Sequence, residues 1–154
     1  MSLKKYCSFW IEQHLFVIDS LKVTSVRGMG ALTPVPGSRQ DISGLLNIRG
    51  DIYLVFDVGM ALLGRRSTKH IDKQLILLRH EADEFLAISV DLVGEIMDIW
   101  EDDFHPPGQP DHPDDLNMEL PVLAGCVSGY SVQNNILVTL LDPQKISQMV
   151  SSEA

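Results

Sequence analysis

Apolar positions along the chain come in short bursts separated by polar turns. Cys7–Ile11 and Leu15–Ile18 flank one such turn, Gln74–Arg79 and Phe85–Val90 flank another, and Ser131-Val132 and Ile136-Leu137 flank Gln133-Asn134-Asn135. Short runs rich in apolar and β-branched residues, each ended by a polar cluster, predict strands rather than amphipathic helices. Helical spacing is confined to two short stretches, each behind an aspartate. Asp57 precedes Val58, Met60, Leu62 and Leu63 and then Gly64, while Asp142 precedes Pro143, Ile146, Met149 and Val150. Both aspartates are expected to be N-caps, with Pro143 at a first helical position and Gly64 as a C-terminal stop. The uncharged stretch Leu120–Leu141 contains Gly125, Ser128, Gly129, Ser131, Gln133, Asn134 and Asn135. It is too polar for hydrocarbon and reads as two strands and a turn.

An internal repeat orders these elements. Phe16, Ile18, Ser20, Val23 and Val26 return 70 positions later as Leu86, Ile88, Val90, Val93 and Ile96. A proline-marked loop follows each set, Thr33–Gly37 and His105–Gly108. Then comes a glycine, Gly44 or Gly125, expected to open a strand pair that ends in Asp57 or Asp142. Many short strands with little helix predict an all-β protein of two small barrels related by an approximate two-fold axis. A lobe of about 70 residues has a marginal core by itself, so the lobes are expected to pack as one interdependent domain over residues 1–154. The first repeat then runs over roughly residues 15–64 and the second over roughly 85–150.

Composition narrows the class further. The chain has 154 residues, 45% hydrophobic and 21% charged, which excludes wholesale disorder. Two cysteines, Cys7 and Cys126, make neither a disulfide framework nor a four-ligand zinc site and point to a reducing compartment. Glu12, Gln13 and His14 interrupt the apolar stretch behind Lys4-Lys5, which argues against a secretory signal. The net charge is −9, but residues 1–79 carry +5 and residues 80–154 carry −14. No basic residue occurs between Arg79 and Lys145, so a broad nucleic-acid-binding face is not expected. The asymmetry fits either an electrostatically two-faced molecule that orients partners or simple solubility.

Motifs for chemistry are scarce. Gly28-Met29-Gly30 lacks the third glycine of a dinucleotide fingerprint, since Thr33 stands there. Cys126 lies in an apolar strand without a nearby base and reads as structural. The acidic stretch 101–119, with Asp102, Asp103, His105, Asp111, His112, Asp114 and Asp115, could coordinate a divalent metal, which would suit a small metal-dependent hydrolase. Its spacing matches neither a helical histidine pair nor a calcium loop, and its prolines favour a solvated connection. No cofactor, resident metal or small-molecule substrate is expected, and no catalytic residue is assigned. Asn47–Val58 reads as one strand, in which the even positions Ile48, Gly50, Ile52, Leu54 and Phe56 form the apolar side. Asn47, Arg49, Asp51 and Tyr53 then share the other side. Such a face suits a protein contact, or is an ordinary solvated face with an Arg49–Asp51 pair. Gly50 is expected to relieve a bend or a bulge rather than to act itself.

Here the sequence resembles a known family. GLLNIRGDIYLVFDV is similar to the signature of CheW-like domains, Gly-x-x-Asn-x-Arg-Gly before a strand ending in Asp. LFVIDSLKVTSV, AISVDLVGEI and the segments AGCVS and ILVTLLD resemble further family elements in the same order, over about residues 8–150. The resemblance implies two SH3-like five-stranded barrels and a non-enzymatic cytoplasmic adaptor. It implies partners as well: the regulatory domain of the histidine kinase CheA and the cytoplasmic tips of chemoreceptors, with the membrane reached only through the receptors. It places Gly44, Asn47, Arg49 and Gly50 on the motif associated with receptor and array contacts, and Val23 near the receptor groove between the barrels. Leu54 replaces a common proline, Ser25 replaces a common glutamate, and the acidic loop is compatible with a pilus or other chemosensory system.

Overall fold

The computed structural model describes residues 2–68, 72–79, 84–107 and 125–151. Among these described residues ten strands and two α-helices follow one another as β1 (Leu3–Ile11), β2 (His14–Asp19), β3 (Val23–Gly28), β4 (Ile42–Ile48), β5 (Asp51–Asp57), α1 (Val58–Leu63), β6 (Gln74–Leu78), β7 (Leu86–Val90), β8 (Leu92–Trp100), β9 (Val127–Gln133), β10 (Ile136–Leu141) and α2 (Pro143–Ser151). They form two five-stranded sheets, ordered β8-β1-β2-β10-β9 and β3-β6-β7-β5-β4. The second sheet is one continuous stretch inserted into the first, so we call them the inserted lobe and the enclosing lobe.

The two sheets are copies of one plan. Val55 pairs in parallel with Ala87, and Leu140 with Val17, which reproduces the 70-residue offset of β2 and β7. Each lobe nevertheless takes strands from both repeats. β1 and β2 join β8–β10, whereas β6 and β7 join β3–β5. Further along, the offset grows to 85, because fifteen more residues separate Ile96 from Leu140 than separate Val26 from Val55.

Each sheet curls until its ends meet at a single bridge, Thr33 to Leu45 in the inserted lobe and His105 to Tyr130 in the enclosing lobe. A glycine makes each closure possible. A Cβ on Gly44 would lie 2.6 Å from the Thr33 carbonyl oxygen, and one on Gly129 would lie 2.8 Å from that of His105. The second-repeat counterpart of Gly44 is thus Gly129, two residues into β9. Gly125 lies in the turn before that strand.

Val23 and Val26, like Val93 and Ile96, are three residues apart, an odd spacing that would put them on opposite faces of a regular strand. A bulge corrects this in both lobes. Val23 opposes Leu78 and Val26 opposes Ile76, while Val93 opposes Phe9 and Ile96 opposes Cys7. Both members of each pair thereby turn toward the same side.

On that side Val23 and Val93 pack against the shared core, while Val26 and Ile96 stay exposed. Phe9, Phe16 and Ile18 of the enclosing lobe meet Phe56, Ile76 and Ile88 of the inserted lobe, all fully buried, together with Val58 of α1 and Ile146 of α2. Smaller clusters fill the lobes themselves, Leu46, Tyr53, Val55, Leu75 and Leu77 in one, Tyr6, Leu15, Val17 and Val138 in the other. The middle strands β2 and β7 are buried on both faces, which is why their sequences are apolar without alternation.

Both expected caps are present. Asp57 Oδ1 accepts from Met60 N at 3.1 Å, Asp142 Oδ1 accepts from Gln144 N at 2.9 Å, and Gly64 closes α1 in the left-handed conformation at φ 71°. Asp57 also meets the buried Lys73 Nζ at 3.5 Å, and Asp91 meets it at 3.6 Å. Asp91 in turn accepts from Ser67 Oγ at 2.6 Å and from Glu12 N at 2.8 Å, which ties the β7–β8 crossover to the β1–β2 turn.

Two outcomes follow. Gly44→Ala is expected to cost about 1–3 kcal/mol through overpacking. It should cost more than Gly129→Ala, because Gly44 also has φ 148°, a conformation L side chains rarely adopt; urea melts compare the two directly. Glu12 is held below the usual carboxylate range by hydrogen bonds from the Arg65 guanidinium and then from Thr68 N. A depressed folded pKa gives stability that is present above the unfolded value, near 4.5, and lost as pH falls through the folded one. Glu12→Gln should therefore melt lower than the parent at pH 6–7, and the two curves should converge toward pH 3.

Candidate partner-binding surface

The stretch Asn47–Val58 is not one strand. Arg49 (φ 53°) and Gly50 (φ 90°) are the two central residues of a tight hairpin turn between β4 and β5. Two left-handed residues match the right-handed twist of the flanking strands, and glycine takes the second position without strain. Arginine at the first position is less comfortable, and Asn47 helps hold it. Asn47 Oδ1 accepts from Gly50 N at 2.9 Å, closing the turn from inside. The enclosing lobe makes the same turn with Asn134 (φ 51°) and Asn135 (φ 65°).

This turn undoes the simple two-faced reading. Tyr53 is only 7% exposed and packs its ring edge-on to Phe85 at 5.2 Å, inside the inserted lobe. Ile52, on the expected apolar side, is 49% exposed. The left-handed turn breaks the alternation, and strand β5 buries both of its faces further along, one in the lobe and one in the shared core. Among the described residues Arg49 makes no ion pair, so the intrastrand pair with Asp51 is not formed.

The five residues singled out from the sequence fall into two groups. Asn47, Arg49 and Gly50 come together, exposed, at the hairpin tip. Gly44 is buried within β4, where it admits the Thr33 carbonyl. Val23 begins β3, half-buried against the shared core and opposite Leu78.

Arg49 lines a groove of about 670 Å³ with Thr24, Ser25, Arg27 and Gly28 of β3, Ile48, Asp51, Tyr53, and Leu77 of β6. Every lining residue belongs to the inserted lobe, so this groove is the open mouth of one barrel rather than a cleft between two. Arg27 is the residue that sequence reading passed over. The repeat held its signal: the position 70 residues on is Met97, so the plan shared by the two lobes does not demand a cation there. Elsewhere the outer strands carry exposed apolar side chains, Val26 at 42%, Ile96 at 54% and Trp100 at 46%.

The candidate chemical groups can be followed only among the described residues. Cys126 is 1% exposed, and burial, followed by the nearby Asp142 charge, pushes its thiol up to about 11, the opposite of an activated nucleophile. Burial raises Cys7 too. Of the acidic stretch, Glu101 pairs with Lys4 at 3.0 Å, and the backbone of His105 is engaged by Tyr130. Asp111, His112, Asp114 and Asp115 lie outside the described residues. Among the described residues no three His, Cys, Asp or Glu side chains gather to hold a metal. No helix among them is long and apolar enough to cross a membrane.

Comparison with known proteins agrees with this architecture. The family model for the CheW-like domain matches residues 5–151. A chemotaxis protein CheW of Rhizobium meliloti is 23% identical over 103 residues, 67% of this chain and 66% of that protein. A probable chemotaxis protein CheW of Rhizobium etli is 22% identical over the same share. The chain thus matches just under two thirds of the length of these curated relatives. The crystal structure of the scaffolding protein TtCheW from Thermoanaerobacter tengcongensis superposes with a TM-score of 0.75 at 22% identity, covering 92% of this chain and 90% of that one. Matched along almost its whole length, and built from two closed five-stranded lobes over one core, the chain belongs to the CheW-like domain family.

Proposed function

We propose that this protein is a chemosensory scaffold that couples chemoreceptors, the methyl-accepting chemotaxis proteins, to the histidine kinase CheA. It does so by binding and not by catalysis. The observation that carries this reading is the family match over residues 5–151, supported by relatives named as chemotaxis proteins. One lobe docks the kinase's homologous regulatory domain. The receptor's cytoplasmic tip lies against the outer strands, where Val26, Ile96 and Trp100 offer apolar contact. The protein works on the cytoplasmic side and meets the membrane only through receptors.

Within this reading the five residues have different tasks. Arg49 touches the partner, with five donors on a planar fork. Asn47 and Gly50 aim it by fixing the turn. Gly44 and Val23 act from inside, the first by allowing the barrel to close and the second by anchoring β3. The contacts need not be strong singly, because an array engages many at once. The alternative reading is a CheW-like adaptor of a pilus or other chemosensory pathway, a divergent subtype marked by the longer connection after β8.

Arg49→Glu is expected to weaken capture of receptor fragments or of the kinase at least about tenfold, equivalent to about 1.4 kcal/mol. Its melting temperature should stay within about 2 °C of the parent, since an exposed substitution seldom costs more than about 0.5 kcal/mol. Reconstituted kinase activity with receptor should rise on adding the parent protein and not the variant. Equal capture by both at equal stability removes Arg49 from the surface. A kinase indifferent to the parent protein removes the coupling role.

A further inference from the structure

The groove at the mouth of the inserted lobe has more definition than a generic docking surface. Its two walls are the end strands of a sheet. β3 and β4 are the outermost members of their sheet, and the chain around them meets only through the Thr33–Leu45 bridge beyond the end of β3. Every residue of β3 from Thr24 to Gly28 is exposed. On an end strand alternate residues turn their N–H and C=O groups away from the sheet, a ready template for another strand. Between the walls, Tyr53 and Leu77 of the lobe's own core form an apolar floor.

The rim is cationic. Arg27 projects from β3 and Arg49 from the opposite turn, against a single lining carboxylate, Asp51. Neither guanidinium has a hydrogen bond or ion pair with a described residue. The enclosing lobe is an internal control for what the fold requires. It has Met97 where the inserted lobe has Arg27, and Asn134 where it has Arg49, yet it closes with the same bridge and the same glycine. The two arginines are therefore additions to the shared plan.

We propose that the seam between β3 and β4 takes an extended, carboxylate-bearing segment of a partner protein, whose backbone adds to the free edge of β3 and whose acidic side chains meet Arg27 and Arg49. This is strand addition, with the edge giving affinity and the arginines giving selectivity. It rests on the reading of the protein as a docking scaffold, and it assigns one of its surfaces a ligand chemistry.

The test uses the full chain, labelled for amide NMR, and three probes: a capped nonapeptide of alternating Glu and Thr, its Lys-Thr counterpart, and inorganic phosphate. The acidic peptide should shift and protect the amides of β3, its affinity should fall with added salt, and Arg27→Glu and Arg49→Glu should each weaken it at least about tenfold. Both variants should melt like the parent. Equal binding of the Lys-Thr peptide overturns the charge reading. Saturation by phosphate, with no protection of β3 by the peptide, makes the site one for small anions and overturns strand addition. Unchanged affinity in Arg27→Glu, or no peptide binding, overturns the proposal outright. Peptide binding by a protein that engages neither kinase nor receptor would sink the coupling role and leave the seam standing.

Discussion

Neither sheet in this molecule has a sufficient core of its own. Each encloses a small apolar cluster of five or six buried residues, while the largest cluster lies where the two sheets face one another. Phe9, Phe16 and Phe56 are wholly removed from solvent there, and burial of each such ring contributes about 1.5–3 kcal/mol. The rest depends on that contact. The helices are short because their task is to cover the edges of the shared cluster, as Val58 and Ile146 do. The bulges in β1/β8 and β3/β6 lie beside Val23 and Val93, the two outer-strand valines that pack against it. With the cores so committed, the barrel mouths and outer strands are among the surfaces free to meet other proteins.

What the sequence disclosed follows from where each signal is encoded. β2 and β7 lie in the middle of their sheets, buried on both sides, so their residues are tightly constrained and the 70-residue repeat shows through. The helix caps were legible because an aspartate, a proline and a glycine act locally. The exchange of strands between lobes was not legible, since a repeat records which segments are alike and not which ones pair. The glycine assignment went astray at Gly125 because the longer second connection moves the equivalent position to Gly129. The hairpin at Arg49-Gly50 was read as continuous strand because an arginine carries no turn signal. The buried environment of Tyr53 was lost with it.

The candidate surface was half legible. A family likeness pointed to Asn47, Arg49 and Gly50, and the fold does gather them at one exposed tip. It also separates Gly44 and Val23 from them, giving those residues internal tasks. Arg27 was missed because it is a lone cation in a polar stretch. It becomes meaningful only when folding brings it across a groove from Arg49. Pseudo-symmetry adds a way to sort such residues: features shared by both lobes answer to folding, and features present in one answer to something else.

The interleaving of repeats makes each half depend on the other. One repeat, β1 through α1, supplies two strands to the enclosing lobe and three to the inserted lobe. Alone it completes neither. Two identical copies hold a full complement, provided each lends its first hairpin to the other. The layout is that of two mutually embracing halves carried on one polypeptide. Because both halves share one polypeptide, the embrace need not be symmetric in detail, and an arginine can stand on one side without its mirror image.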